Sequence, residues 1–363
     1  MKIKYIGNFN DGTGWAKAAT YNALALDAAG YDIYCEIISY NSKTPSNNTL
    51  EPRIQELLDK KTEEVDTIVY HMLPSDYKYI AGVKNIACLE LETLKLSNVL
   101  WVKKINMMDE IWVPNQGSKN CLINSGVSQD KIKIFHHSFN FDRVVSAEEQ
   151  NTVLGLNGTF NFAFVGEFLN RKNLEALLIA FHNEFDRTEP VGLLIKANGS
   201  PENVNGFCET IKGKMKKSNR YKKEVIICNQ LAEKDLFSLL KQCHAFVMPS
   251  RGESWCYPAL ESMALGLPVI YTDGIGIQEY DVTGLAVASH ETPCFGANDT
   301  LQDLYTSDDN WLEVDILDLQ KKMRTIFSLY REQRDEYDKK SKECIEAASK
   351  FNFTNNESAR RIL

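Results

Sequence analysis

The feature that most constrains the fold is a repeated alternation of short β-type runs with helical segments. The chain opens with the strand-like run KIKYIGNF, the loop DGTG, the helical stretch WAKAATYNALALDAAG and a second strand-like run, YDIYCEIISY. This order is typical of a parallel α/β sheet. Further strand patterns follow at 65–72, 83–91, 110–115 and 131–137. The first part of the chain therefore predicts a doubly wound sheet.

The same alternation restarts near residue 159. Strand patterns recur at 160–168, 191–200, 224–230, 244–250 and 267–274, with helical patterns between them. A chain of 363 residues is also too long for one ordinary core. We predict two Rossmann-like domains that face each other across a cleft, with a helical C-terminal tail. We place the first domain at 1–148, the linker at 149–158, the second domain at 159–335 and a charged helix at 336–363. Packing of that helix on the first domain is left open.

Composition narrows the functional classes. The net charge is −8, so nucleic acid is not an expected partner. Nine scattered cysteines without a Cys-x-x-Cys pair are typical of reduced thiols, and no apolar run is long enough to span a membrane, so we expect a cytoplasmic protein. Lys212–Lys223 carries seven Lys or Arg in twelve residues. A solvated face and a peripheral membrane contact both fit this run.

Two glutamates, Glu253 and Glu261, lie eight residues apart in PSRGESWCYPALESMALGLPVIYTDG. Pro258 suits the first position of a helix, which places Glu253 on the preceding loop and Glu261 in the first turn. A helix N-terminus favours an anion such as a diphosphate, whereas a carboxylate accepts hydrogen bonds from hydroxyls. Phosphates and hydroxyls together describe a nucleotide sugar. The alternative is that Glu261 only complements the helix dipole and Glu253 is solvated.

The stretch PSRGESWCYPALESMALGLPVIYTDGIG resembles the signature of family 4 glycosyltransferases, which are retaining enzymes of the GT-B fold. Shared elements are the Pro-Ser, the two glutamates, the proline between them, Met-Ala-x-Gly and Pro-Val-Ile. Segments 165–181, 108–139 and 87–98 resemble other parts of the family in order, so the likeness runs from residue 5 to about 290. One departure concerns the donor loop, where Ser254 and Cys256 replace glycines that the family often has.

The resemblance implies roles for the donor-side residues. Glu253 would hold hydroxyls of the donor sugar and Glu261 those of the ribose, while the loop Ser254–Tyr257 would place the backbone N–H groups of Trp255, Cys256 and Tyr257 against the diphosphate. Arg171 and Lys172 follow a strand, and two cations there would stabilise a diphosphate leaving group. A solvated basic pair is the alternative. The loop Gly12-Thr13-Gly14 would face the donor phosphates, although a plain tight turn also explains it.

His71 and Glu92 are the catalytic candidates of the first domain, beside Glu253. His71 ends a predicted strand and would contact sugar or acceptor, unless it is a structural histidine. Glu92 would orient the acceptor hydroxyl or accept its proton, unless it is a solvated loop acid. The six histidines lack zinc spacing and the chain has no Asp-x-Asp, so we expect no metal site.

The sequence therefore predicts a retaining, metal-independent glycosyltransferase. It would move a sugar from a nucleotide sugar, UDP- or GDP-linked, to a hydroxyl of a glycan, lipid-linked or protein-linked acceptor, with no further cofactor. Three alternatives stay open: a nucleotide-sugar epimerase or hydrolase of the same fold, a non-catalytic binding subunit, and, as the weakest, a transferase that acts on nucleic acid through the basic run 212–223. The donor, acceptor and oligomeric state are left open.

Overall fold

Two separate units make up the chain. The computed structural model describes residues 1–39, 50–62, 64–148, 158–217, 221–222, 224–296 and 305–362. The first unit contains Met1–Phe141 and Lys350–Leu363, and the second contains Asp142–Ser349. The divisions thus fall after residues 141 and 349, whereas the sequence placed them near 149–158 and 335. Apart from Gly158, that linker lies outside the described residues.

Strands and helices alternate along both units. Before residue 150 the elements are β1 (Lys2–Gly7), α1 (Gly14–Ala28), β2 (Asp32–Ile37), α2 (Pro52–Asp59), β3 (Thr67–His71), β4 (Lys84–Cys88), α3 (Val99–Asn106), β5 (Glu110–Val113), α4 (Gln116–Asn124), β6 (Ile132–Ile134) and α5 (Phe141–Val145). After it they are β7 (Phe160–Glu167), α6 (Leu174–Glu184), β8 (Val191–Asn198), α7 (Pro201–Met215), β9 (Glu224–Ile227), α8 (Glu233–Leu240), β10 (Ala245–Met248), α9 (Tyr257–Ala264), β11 (Val269–Thr272), β12 (Ala286–Val287), β13 (Ser289–Pro293), β14 (Asn310–Val314), α10 (Ile316–Glu332), α11 (Arg334–Ser349) and α12 (Glu357–Arg361).

The sheet of the first unit is parallel, with strand order β2-β1-β3-β4-β5-β6. All residues of β3 and of β5 are buried, as expected for parallel strands that are covered on both faces. The order reverses between β1 and β3, because β2 lies on one side of β1 and the later strands lie on the other. In open α/β sheets, ligands bind at the carboxyl ends of the strands beside such a reversal.

The segment after α11 belongs to the first unit. Phe139 N donates to Phe351 O at 3.1 Å, and Phe353 N donates to Phe139 O at 3.0 Å. The amide of Asn356 donates to His136 O at 2.8 Å, and the rings of Tyr21 and Phe353 lie 5.9 Å apart. These contacts fasten residues 351–356 to the end of β6 and to α1.

The sheet of the second unit is also parallel, with strand order β12-β11-β10-β7-β8-β9. Its reversal lies between β7 and β10. Helix α10 packs on α6 and α11 packs on α9. Gly266 ends α9 with φ of +81°, and an added Cβ would lie 2.5 Å from Ser341 Oγ of α11. Because glycine lacks a Cβ, it can adopt the left-handed turn and also allows the close contact between α9 and α11.

The antiparallel pair β13 and β14 was absent from the predicted elements, and it supports the loop after β10. Leu312 N of β14 donates to Arg251 O at 2.8 Å, and Arg251 Nε lies 2.6 Å from Glu313 Oε2. The fold class is confirmed: two parallel α/β sheets, followed by a helical C-terminal region. Across the described ranges, no helix combines the length and apolar character needed to cross a membrane.

Candidate functional sites of the two units

The candidate site of the second unit lies at the reversal of its sheet. β7 and β10 are hydrogen-bonded neighbours. Residues 168–173 follow the carboxyl end of β7, and residues 249–256 follow the carboxyl end of β10. Arg171 and Lys172 lie on the first of these segments and Glu253 lies on the second. The fold therefore brings together residues that are about 80 positions apart in the sequence.

Arg171 and Lys172 converge on the carboxylate of Glu253. Nη1 of Arg171 lies 3.1 Å from Oε1 of Glu253, and Nζ of Lys172 lies 2.6 Å from the same oxygen. Burial alone would raise the pKa of Glu253, but the positive charges of Lys172 and Arg171 outweigh it and hold the pKa below its ordinary value. Two cations against one carboxylate leave a net positive charge, which favours an anionic ligand.

Hydrogen bonds between the two segments fix this cluster. The backbone O of Arg171 accepts from Arg251 N at 2.7 Å and from Ser250 Oγ at 3.0 Å. The Arg171 guanidinium also donates to Gly252 O. Because neighbouring backbone holds both ends of Arg171, its charge is preorganised.

The loop from Ser254 to Tyr257 is buried. Cys256 adopts φ 68° and ψ 75°, a left-handed conformation that glycine takes most readily. The Tyr280 hydroxyl lies 2.6 Å from Trp255 O and 3.0 Å from Cys256 O, and the Trp255 and Tyr280 rings are 5.1 Å apart. Cysteine thus follows a backbone path usual for glycine at this position, and Tyr280 braces it.

The predicted helical position of Glu261 is wrong by one residue, which moves it out of the first turn. Helix α9 begins at Tyr257, with Cys256 as its N-cap, so Pro258 is the second helical residue and Glu261 is the fifth. The first turn holds no acidic residue. The left-handed Cys256 allows the helix to start earlier than Pro258 suggested. Glu261 is buried in the second turn. Because the favourable effect of a carboxylate on the helix dipole is confined to the first turn, that effect does not explain why a glutamate stands here.

The loop Gly12–Gly14 enters α1 from the carboxyl end of β1. Gly12 has φ of +72°, and Thr13 caps the helix by accepting from Ala16 N at 3.1 Å. Asp11 accepts from Thr13 N at 2.9 Å and from Thr13 Oγ1 at 2.6 Å. These contacts account for the tight turn, and contact with donor phosphates stays a prediction.

His71 lies in a buried polar network in the first unit. Nε2 of His71 lies 2.6 Å from Glu90 Oε1, and Nδ1 lies 2.8 Å from the Tyr5 hydroxyl. Nε2 of His137 lies 3.0 Å from the same Glu90 oxygen, and Nδ1 lies 3.0 Å from the Asn22 amide nitrogen. The carboxyl ends of β3, β4 and β6 supply the two histidines and the carboxylate.

Glu92 is not the carboxylate that pairs with His71. Among described residues, the side-chain partners of His71 are Tyr5 and Glu90, and Glu92 is half-buried two residues further on. The sequence analysis overlooked Glu90 and His137. The only local signal is that each follows a strand, at the edge where the candidate residues were sought.

The basic run is partly tied to its own unit. Lys212 Nζ lies 2.8 Å from Glu209 Oε1 and 3.2 Å from Glu224 Oε2, and Lys217 Nζ donates to His182 O at 2.6 Å. Residues 218–220 and 223 lie outside the described residues. Contact with a membrane stays a prediction.

The sequence of the second unit is similar to a family of glycosyltransferases. Residues 159–299 match the family model "Glycosyl transferases group 1". Among solved structures, the chain is similar to Anabaena HepE in complex with UDP-glucose (15% identity, TM-score 0.65, covering 100% of this chain and 99% of that one). It is also similar to sucrose-phosphate synthase from Thermosynechococcus elongatus (15% identity, TM-score 0.66, coverage 100% and 97%).

A third similar structure is an Escherichia coli protein described as "Trehalose-6-phosphate", bound with UDP-2-fluoro glucose (10% identity, TM-score 0.64, 100% of both chains). A search of curated proteins found no match. At these identities the structures show the fold, which is that of GT-B glycosyltransferases. The family model supports a glycosyltransferase domain over the residues that carry Arg171, Lys172 and Glu253.

Proposed function

We propose that this chain is a retaining, metal-independent glycosyltransferase that moves a sugar from a nucleotide sugar to a hydroxyl acceptor. The observation that carries the proposal is the cluster of Arg171, Lys172 and Glu253 at the reversal of the second sheet. It lies within the residues that match the glycosyltransferase family model. Two similar structures hold UDP-glucose or its fluoro analogue, so UDP-sugars are the first donors to test, followed by GDP-sugars.

The cluster offers separate partners for the two ends of a donor. A diphosphate would take hydrogen bonds and charge from Lys172 and Arg171, which now share one carboxylate oxygen. Glu253 would then accept hydrogen bonds from hydroxyls of the sugar. As the sugar–oxygen bond breaks, negative charge grows on the leaving phosphate, and fixed cations in a buried site stabilise that growth. They would supply the charge that a metal ion provides in other transferases.

Other donor contacts follow from the resemblance and belong to the proposal. Backbone N–H groups at Trp255, Cys256 and Tyr257 would meet the diphosphate, and Glu261 would accept from the ribose. Retention would result from attack on the same face from which the diphosphate leaves, with the diphosphate taking the proton of the acceptor. The first unit would supply the acceptor side through His71 and Glu92.

A thermal-shift panel of UDP, GDP and their sugars, with and without EDTA, tests the donor site. A ligand at 100 times its Kd stabilises the native state by about 2.7 kcal/mol. We expect one nucleotide series to raise Tm equally with and without EDTA, and Lys172→Ala to reduce that rise. Lys212→Ala is the matched control, since Lys212 also pairs with a buried glutamate and has 13% side-chain exposure against 12% for Lys172.

Turnover assays separate the alternatives. Transfer to an added acceptor, with retained anomeric configuration by NMR, supports the proposal, and Glu253→Gln should abolish it without unfolding the protein. Consumption of donor without any acceptor would instead indicate an epimerase or hydrolase. If no nucleotide raises Tm, the proposed function is wrong and a non-catalytic binding subunit is favoured.

A further inference from the structure

The network around Glu90 has one open position. Tyr5, Asn22, His71 and His137 are all at most 1% exposed, whereas the Glu90 side chain is 20% exposed. Both histidines contact Oε1 of Glu90. Among the residues that the structure describes, none donates a hydrogen bond to Oε2. A carboxylate can accept about four hydrogen bonds, so Oε2 keeps its capacity for a donor from outside.

Both histidine rings present Nε2 to the carboxylate of Glu90. His71 donates from Nε2 to Glu90 and accepts at Nδ1 from the Tyr5 hydroxyl; His137 faces Glu90 with Nε2 and accepts at Nδ1 from the Asn22 amide. We assign these tautomers from the network of partners. Burial lowers the pKa of His137, which favours the neutral ring. Although burial also disfavours a charged carboxylate, His71 and His137 hold the pKa of Glu90 below its ordinary range.

From this geometry we propose that Oε2 of Glu90 accepts a hydrogen bond from a substrate hydroxyl, with His71 and His137 as positioning residues. The inference rests on the proposed function, because that function makes a sugar hydroxyl the ligand. A carboxylate oxygen accepts hydrogen bonds and has no proton to donate when ionised, so it suits a hydroxyl donor. The half-buried indole of Trp15 lies 6.2 Å from the His71 ring and adds an apolar surface at the same strand edge.

A purely structural role explains the open oxygen poorly. Burying a charge costs several kcal/mol, and apolar replacements of buried ion pairs are often neutral or stabilising. A network kept only for stability would satisfy both carboxylate oxygens internally. Here four buried groups orient one carboxylate and leave one oxygen open, which is the arrangement expected of a preorganised binding group.

The hydroxyl could belong to the donor sugar or to the acceptor, and Glu90→Gln distinguishes them. UDP affinity should be unchanged, since the diphosphate site is proposed on the second unit. A UDP-sugar that binds no better than UDP would identify a donor hydroxyl. Unchanged donor affinity with acceptor kcat/KM lowered about 100-fold would identify an acceptor hydroxyl. Wild-type kinetics for both substrates would overturn the proposal.

Glu110→Gln is the matched control in the same unit. Glu110 is 10% exposed by side chain, lies 3.0 Å from Lys84 Nζ and 2.9 Å from Lys133 Nζ, and begins β5 at the amino edge of the sheet. The Glu110→Gln variant removes a comparably buried carboxylate at the amino edge of the sheet, whereas the candidate site lies at the carboxyl edge. If both variants lose transfer equally, the loss reflects damage to the unit and the proposal is wrong.

His137 variants test positioning. The described titratable groups that contact Glu90 or interact with it electrostatically include His71, His137, Tyr5 and Cys88. His137→Leu removes one stabilising contact, so the acid limb of the kcat/KM profile should move to higher pH. His137→Gln, which keeps an amide N–H donor, should restore the profile. An unshifted limb in the leucine variant would contradict the positioning role.

A readout without catalysis separates this proposal from the proposed function. The chain has six histidines, so ¹⁵N-histidine labelling gives a simple imidazole spectrum. Titration with glucose, galactose and mannose, and with UDP-glucose, should shift the His71 and His137 signals. Shifts with neutral sugars but no response to any nucleotide would support the hydroxyl site and refute the nucleotide-sugar donor. No shift with any of these ligands would refute the hydroxyl site.

Discussion

Replacing Cys256 should reveal how much strain is stored in the loop from Ser254 to Tyr257. Cys256 holds φ 68° and ψ 75° at the N-cap of α9, and its thiol is buried. We expect Cys256→Ala to lower the free energy of unfolding by roughly 1 kcal/mol, because one buried heavy atom is lost. We expect Cys256→Gly to recover most of that loss, although glycine lacks a side chain altogether.

The recovery follows from two opposing contributions. A left-handed conformation costs a residue with a Cβ roughly 1–2 kcal/mol. Glycine loses more backbone freedom on folding, which costs roughly 0.5–1 kcal/mol. The glycine variant should therefore be more stable than the alanine variant by roughly 0.5–1 kcal/mol. In an ordinary helix, glycine is less stabilising than alanine. Ala347→Gly inside α11 should therefore lower the free energy of unfolding by about 1 kcal/mol.

Urea unfolding of the four proteins, followed by circular dichroism, measures these differences as shifts in midpoint at constant slope. The comparison of alanine with glycine at position 256 isolates the backbone, since neither carries the thiol. A glycine variant less stable than the alanine variant, by the amount seen at Ala347, would show that position 256 is not left-handed and would refute the reasoning.

Three further outcomes are expected. Glu253 has a lowered pKa in the folded state, so its stabilising contribution is complete above its ordinary value of 4.5 and is lost as pH falls through the folded-state pKa. Lys172→Ala should raise the folded-state pKa of Glu253, so Tm measured from pH 6 to 3 should fall less steeply in the variant, and identical profiles would contradict the pairing. Gly266→Ala should cost roughly 1–3 kcal/mol by denaturation, since its Cβ would meet Ser341 and φ is positive; a neutral effect would argue against the close contact. Tyr280→Phe should cost about 1–2 kcal/mol in the same assay, because two buried carbonyls lose their donor, and an unchanged midpoint would show that the hydroxyl does not brace the loop.

The sequence was most informative where local pattern decides structure. Apolar runs such as 160–168 correspond closely to strands, here Phe160–Glu167, because a parallel strand covered on both faces is apolar along most of its length. The sequence also placed Arg171, Lys172 and Glu253 after strand ends, although it did not predict that the two cations pair with Glu253. Their roles toward a donor, like those of His71 and Glu92 toward an acceptor, remain predictions.

The features that the sequence analysis did not predict depend on contacts between residues distant in the chain or on one backbone angle. His71, Glu90 and His137 lie on three separate strand ends, and no spacing along the chain distinguishes Glu90 from Glu92. The start of α9 depends on the left-handed Cys256, a conformation that residue type does not indicate for cysteine. The short strands of β13 and β14 carry no strong periodic pattern.

The return of the chain to the first unit has a consequence for the order of folding. Asp142–Ser349 is continuous in sequence, so the second unit can be complete as soon as its own residues have emerged from the ribosome. The first unit requires Phe351 and Phe353 beside Phe139 and must close a loop that contains the entire second unit. That closure costs little extra free energy, about 0.6 kcal/mol for each doubling of loop length. During synthesis, the unit whose sheet is made first is therefore the unit that is completed last.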